Sequence, residues 1–182
     1  MSYTFTSPIK NYNNNETLDN YPDMKENLDT IFEVSKTILM VGWRQTSDQT
    51  FMKYILDKGK QVTVVEIFEP NLKSIPSEVK IIHGDVLTVP ITESYDMFLW
   101  QGGPEHVNKE SAMELILRIQ HQFKYLIIET PNGYNQQEEM YGNIYERHVS
   151  HWEPEDYEKI GFLWRPYAGV NHNAFLVGYK EM

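Results

Sequence analysis

Lys36-Thr37-Ile38-Leu39-Met40-Val41-Gly42-Trp43-Arg44-Gln45-Thr46-Ser47-Asp48 is the stretch on which the rest of the chain is organised. Ile38 to Val41 is a continuous apolar run, rich in branched side chains, that stops at a glycine. Such a run reads as a strand buried on both faces in the middle of a parallel sheet. Gly42 lets the chain turn sharply as it leaves the strand. Ser47 or Asp48 then caps a helix whose apolar residues Phe51, Tyr54 and Ile55, with the stem of Lys58, fall on one face. Strand, glycine turn and helix N-terminus together open an α/β ligand site, because free N–H groups and the positive end of the helix dipole meet there. The same pieces also describe the first βα unit of any packed domain, so the following stretches decide.

Those stretches repeat the alternation. Gly59 ends the helix, and Gln61 to Glu66 reads as a second buried strand with a carboxylate at its tip. Val79 to Ile82 is a third, short strand, followed by His83-Gly84-Asp85. Tyr95 to Trp100 is a fourth, running into Gln101-Gly102-Gly103-Pro104. A helix over Lys109 to Gln122 places Ala112, Leu115, Ile116 and Ile119 on one face, and Phe123 to Glu129 is a fifth strand. An irregular segment from Thr130 to Ser150 is too long for a plain connector and reads as a lid over the crevice. Glu153 to Ile160 is a short helix stopped by Gly161. Phe162–Gly169 and Ala174–Lys180 are two strands around Val170-Asn171-His172-Asn173, a hairpin signal. Ahead of all this, residues 1–21 are polar and asparagine-rich and read as an N-terminal arm. A helix over Pro22 to Lys36 shows Met24, Leu28, Ile31 and Phe32 at helical spacing. The sum is an α/β, Rossmann-like three-layer sandwich. Its seven-stranded, mostly parallel sheet has the order 3-2-1-4-5-7-6 with one antiparallel strand, all within one domain over 22–182.

Composition narrows the function. Hydrophobic residues make up 41% of the 182, enough for one sizeable core. There is no cysteine, which removes disulfides, thiolate metal sites and cysteine nucleophiles. No apolar run approaches the roughly 20 residues of a bilayer span, and the N-terminus has no charged-then-apolar leader, so a cytoplasmic protein without membrane contact is expected. The net charge is −10, and residues 131–160 carry seven acids against Arg147 and Lys159, half of that charge. Phosphate backbones are repelled there, which argues against nucleic acid as a partner. Gly-x-Gly-x-x-Gly, a P-loop and a Gly-x-Ser-x-Gly elbow are all absent, disfavouring nicotinamide enzymes, P-loop enzymes and serine hydrolases.

Several motifs, each on its expected element, resemble the class I S-adenosylmethionine-dependent methyltransferases. Glu66 in Val64-Val65-Glu66-Ile67 resembles the family's ribose-holding acid. Gly84-Asp85-Val86-Leu87-Thr88-Val89-Pro90 resembles the third-strand motif with its aspartate near adenine. Ser94-Tyr95-Asp96-Met97-Phe98 and Glu105-His106-Val107 resemble the opening and the sequel of the fourth strand. Thr130-Pro131-Asn132-Gly133, His148-Val149-Ser150-His151-Trp152 and Gly161-Phe162 are similar to a subgroup of small bacterial and archaeal members. The resemblance implies S-adenosylmethionine as cofactor, held by Gly42, Arg44, Glu66, Asp85 and, by stacking, Trp100, with His106 as the candidate base. The departure lies in the opening stretch. Where the family has an acid and three glycines, this chain has Met40, Gly42, Arg44 and Thr46. A guanidinium at the second glycine occupies volume next to the methionine part of the cofactor. Arg44 then either grips the cofactor's carboxylate or pairs with Glu66 or Asp85 in a site that holds none.

Three histidines, His106, His148 and His151, are the acid–base candidates; helix capping is the other role open to His106. His148 and His151 are three apart, but no third ligand is patterned around them, so no metal is predicted. Trp100, Trp152 and Trp164 suit either a ligand's ring or the core. Two readings follow: a methyltransferase acting on a small molecule, or a binding module that keeps the fold without catalysis.

Overall fold

The computed structural model describes residues 21–168 and 174–182. Of the expected arm over 1–21, all but Tyr21, the N-cap of the first helix, lies outside the described residues, as does the turn of the closing hairpin. The strands are β1 (Thr37–Val41), β2 (Gln61–Glu66), β3 (Lys80–His83), β4 (Tyr95–Gln101), β5 (Phe123–Pro131), β6 (Leu163–Ala168) and β7 (Ala174–Glu181). The helices are α1 (Pro22–Val34), α2 (Gln45–Asp57), α3 (Glu69–Leu72), α4 (Lys109–Ile119) and α5 (Pro154–Lys159). The seven strands form one sheet in the order β3-β2-β1-β4-β5-β7-β6. β1 to β5 pair in parallel, and β7 pairs antiparallel with both β5 and β6, so it alone runs against the rest.

Alternation along the strands feeds two apolar layers. On one face Ile38, Met40, Val64, Met97 and Leu99 pack under α1 (Met24, Leu28, Ile31) and α2 (Phe51, Met52, Ile55). On the other, Leu39, Val41, Phe98, Leu126 and Ile128 pack under α4 (Leu115, Ile116), under Tyr157 of α5 and under its C-cap Ile160. That is the three-layer sandwich the alternation predicts. No helix among the described residues is long and apolar enough to cross a membrane.

Most ends shift by a few residues from the sequence reading, and three local differences are larger in kind. First, α2 begins at Gln45 with Arg44 as its N-cap, ahead of the predicted Ser47 or Asp48. The left-handed turn at Gly42 (φ 82°) aims the chain into the helix early. Asp48 still serves the helix start: its carboxylate accepts the Arg44 N–H at 2.5 Å. Second, Asn108 caps α4 by accepting the Ser111 N–H, so His106 is not the cap. It stands in the short 3-10 turn Pro104–His106. Third, α3 was not predicted, since four residues carry no period.

The 131–150 segment leaves and returns at the C-terminal edge of the parallel strands, as its length predicts. Its two ends are joined where the Gly133 N–H donates to the Trp152 carbonyl at 2.6 Å. Its C-terminal end is stitched to the turn after β4 by the Val149 and Ser150 N–H groups, both donating to the Glu105 carbonyl.

Candidate functional site

The parallel strands β1 to β5 all end at one edge of the sheet in a polar residue or a glycine turn. Gly42 follows β1, Glu66 ends β2, Gly84-Asp85 follows β3, Gln101 to His106 continues β4, and Glu129 stands near the end of β5. A Cβ added at Gly42 would meet nothing within 4 Å, so the floor above the β1 turn is open.

Glu66 is 4% exposed, and each of its carboxylate oxygens accepts one backbone N–H: Trp43 at 2.7 Å and Phe68 at 2.6 Å. Burial pushes its carboxyl up, against the pull of those bonds and of Asn71; Glu146 adds to the rise. Asp85 accepts the Leu87 N–H at 2.9 Å, closing the turn after β3. Trp100 is 2% exposed, and its indole packs directly against Gly103. Of the two roles open to it, core packing is the one this burial fits. Trp152 is likewise enclosed, and Trp164 lies at the rim, donating to Glu158.

Arg44 points away from Glu66 and Asp85. Its Nη2 would lie 3.8 Å from a Cβ on Gly102, and its charge is felt by Glu105, His106 and Glu129. The expected pairing with Glu66 or Asp85 is therefore not formed. Glu66 is already engaged by Trp43 and Phe68, and among the described residues no carboxylate forms an ion pair with the guanidinium.

The β4 and β5 ends hold a second group of polar side chains. Burial pushes the Glu105 carboxyl up to about 8, with Glu129 and Glu146 adding to the rise and Arg44 opposing it. Burial raises Glu129 too, while the neighbouring Tyr167 and Gln101 side chains hold it down, Gln101 Nε2 donating to its carboxylate at 3.3 Å. His106 is pushed down to about 4 by burial, with His148 and Arg44 adding to the fall and the Arg147 carbonyl opposing it. Its imidazole is thus neutral near pH 7 and a weaker base than a free histidine. The His106 and His148 rings stand 4.8 Å apart, edge to face. His148 therefore meets His106 and not His151, which is exposed. Glu105 and Glu129 were not singled out as site residues. For Glu129 the signal was present, an acid closing the apolar run Leu126-Ile127-Ile128, the same pattern that marked Glu66.

No family model matches the chain, and no curated protein matches it either. Solved structures do. The methyltransferase domain of bacterial CtHen1 is 16% identical, with a TM-score of 0.58 over 92% of this chain and 100% of that one. An S-adenosylmethionine-dependent methyltransferase from Archaeoglobus fulgidus is 15% identical, with a TM-score of 0.59 over 90% and 95%. A Burkholderia thailandensis 1,6-didemethyltoxoflavin-N1-methyltransferase, solved with that compound and S-adenosylhomocysteine, is 15% identical, with a TM-score of 0.59 over 90% and 84%. The chain has the class I S-adenosylmethionine-dependent methyltransferase fold.

At this edge of the sheet the structure leaves space and polar groups unspent. Above Gly42 there is open space. Glu66 and Asp85 each keep acceptor capacity beyond the backbone bonds they already take. Arg44 offers a guanidinium fork without a carboxylate partner among the described residues, the geometry that suits a carboxylate.

Proposed function

We propose that this protein is an S-adenosylmethionine-dependent methyltransferase acting on a small molecule. The observation that carries the reading is the placement of Gly42, Glu66 and Asp85 at the ends of β1, β2 and β3 on one sheet edge, with the Arg44 guanidinium, which has no carboxylate partner among the described residues, turned toward Gly102 after β4. Glu66 would hold the ribose hydroxyls, Asp85 would lie near adenine, and Arg44 would grip the carboxylate. When bound, the cofactor supplies an electrophilic methyl on a sulfonium. The protein's share is then to align a nucleophile behind that methyl and keep water out. His106 stands on the nucleophile's side, and the 131–150 segment forms the wall that closes over it. The acidic charge of that wall suits a neutral or cationic small molecule better than a nucleic acid.

Calorimetric titration with S-adenosylmethionine and S-adenosylhomocysteine tests this. Micromolar binding of both is expected. Silence into the millimolar range would favour a binding module that keeps the fold, a reading supported by one observation: both Glu66 oxygens already serve the protein's own backbone.

A further inference from the structure

We propose that Glu105, His106 and His148 form a site for one divalent transition-metal ion, which fastens the 131–150 lid to the turn after β4. One ligand atom from each of the three residues lies within 4.8 Å of the other two. Ligand atoms around a four-coordinate ion with bonds near 2.1 Å stand about 3.4 Å apart, so the widest gap has to close by roughly 1.4 Å. Side-chain rotation in His148, carried on a lid, supplies that movement.

The bonds around the cluster already prepare it. His106 Nδ1 lies 3.2 Å from the Arg147 carbonyl, and His148 Nδ1 lies 2.6 Å from the Asn135 carbonyl. A carbonyl only accepts, so Nδ1 carries a proton in both rings, which leaves Nε2 as the nitrogen each ring would offer a metal. A ring nitrogen anchored on a backbone carbonyl is the outer-shell arrangement that fixes a metal-binding imidazole. The Gly102 carbonyl also lies near the His106 ring, a further oxygen beside the cluster. Glu105 is 3% exposed, and its Oε2 is buried without a hydrogen-bond partner. A buried carboxylate oxygen left over in this way needs a cation or a donor. Gly102 borders the cluster in a left-handed conformation (φ 51°), with Glu105 Oε1 3.6 Å from where its Cβ would stand.

Charge and ligand type narrow the ion. Two neutral imidazoles and one carboxylate favour zinc, cobalt, manganese or iron over magnesium or calcium, which prefer all-oxygen sites. Glu129 and Glu146 add negative potential, and Arg44 subtracts from it. Three protein ligands leave at least one position for water or a substrate oxygen. Resting on the function proposed above, that position selects an oxygen nucleophile, because a coordinated hydroxyl loses its proton more readily.

The test loads the full chain with Co2+, then Zn2+, in the absence of any methyl donor. The expected result is one Co2+ per chain with the intense visible absorption of a four- or five-coordinate ion. Zn2+ should displace it, and Mg2+ should fail to. His106→Ala and His148→Ala should each weaken Zn2+ binding at least about 10-fold, while His151→Ala leaves it unchanged. Circular dichroism guards against an unfolded variant, and His148→Gln, on the lid outside the core, serves as the second variant. Metal binding should also slow backbone amide exchange in the 134–149 segment. An aquo-ion Co2+ spectrum, or Zn2+ affinity untouched by both His106→Ala and His148→Ala, overturns the proposal. The two readings separate cleanly: metal binding without S-adenosylmethionine binding keeps this site and ends the methyltransferase reading, and the reverse result does the opposite.

Discussion

Glu66 accepts the backbone N–H of Trp43 at 2.7 Å, tying the tip of β2 to the residue just past the Gly42 turn. The chain lacks the acid that the resemblance would place at Met40 to order this turn, and Glu66 orders it from the neighbouring strand. Its second oxygen holds the Phe68 N–H at 2.6 Å, so one carboxylate braces the exits of both β1 and β2.

Glu66→Ala should therefore cost stability as well as cofactor affinity. It strands two N–H groups, and an unpaired buried donor costs about 1–3 kcal/mol. Glu66→Gln keeps one acceptor and should fall between. Urea midpoints at equal slope measure the stability part, and a loss below about 0.5 kcal/mol would show that the turn is held by other contacts.

Gly103→Ala should destabilise through sterics alone. The backbone at Gly103 is ordinary (φ −137°), yet a Cβ there would stand 2.1 Å from Trp100 Nε1 and 2.3 Å from Cδ1. Trp100 is 2% exposed and has nowhere to go. The expected cost is about 1–3 kcal/mol, the usual range for overpacking. Gly178→Ala should behave alike, since its Cβ would meet Tyr157 at 2.5 Å. Thermal unfolding of the two variants, with wild-type stability in both as the contrary outcome, decides the matter.

Sheet order was legible because apolar runs such as Ile38–Val41 and Leu126–Ile128 can only be buried strands, and the handedness of crossovers leaves few ways to connect them. The positions of Glu66 and Asp85 at the ends of β2 and β3 were legible because each ends or follows such a run. The Glu105–His106–His148 cluster was not, because His148 arrives on an aperiodic lid whose path depends on contacts such as Val149 to Glu105. Local propensity pointed to Ser47 or Asp48 for the start of α2, but the turn at Gly42 overrode it.

Asp96 should make stability depend on acid. Burial acts to raise its carboxyl, but Lys124 Nζ at 2.6 Å and the N–H groups of Lys36 and Thr37 prevail and hold it at about 2. A depressed folded value means the stabilisation is present above the unfolded value of 3.8 and is lost as pH falls through about 2. With Lys124 exposed, screening leaves about 1–2 kcal/mol of the full effect. Asp96→Asn should remove that amount near neutral pH and little below about pH 2. Subtracting the variant's urea curve from the wild type's across this range isolates the term, and a flat difference would contradict it.

Arg44→Gly carries the sharpest expectation, because two equilibria should move in opposite directions. Arg44 lies beside Gly102 and within the field of Glu105 and Glu129, without a carboxylate partner among the described residues. If it grips the cofactor's carboxylate, its removal should weaken S-adenosylmethionine binding about 5- to 150-fold, one to three kcal/mol. Arg44→Lys, which keeps the charge and loses the fork, should fall between. If Arg44 instead blocks the methionine subsite, Arg44→Gly should tighten binding by a similar factor. The same substitution removes a positive charge near Glu105 and His106, so Zn2+ affinity should rise. Calorimetry of one variant with both ligands reads both signs. Weaker cofactor binding with tighter Zn2+ binding is the expected pair. Cofactor affinity unchanged within about twofold would place the guanidinium outside the site and remove the carboxylate grip from the account.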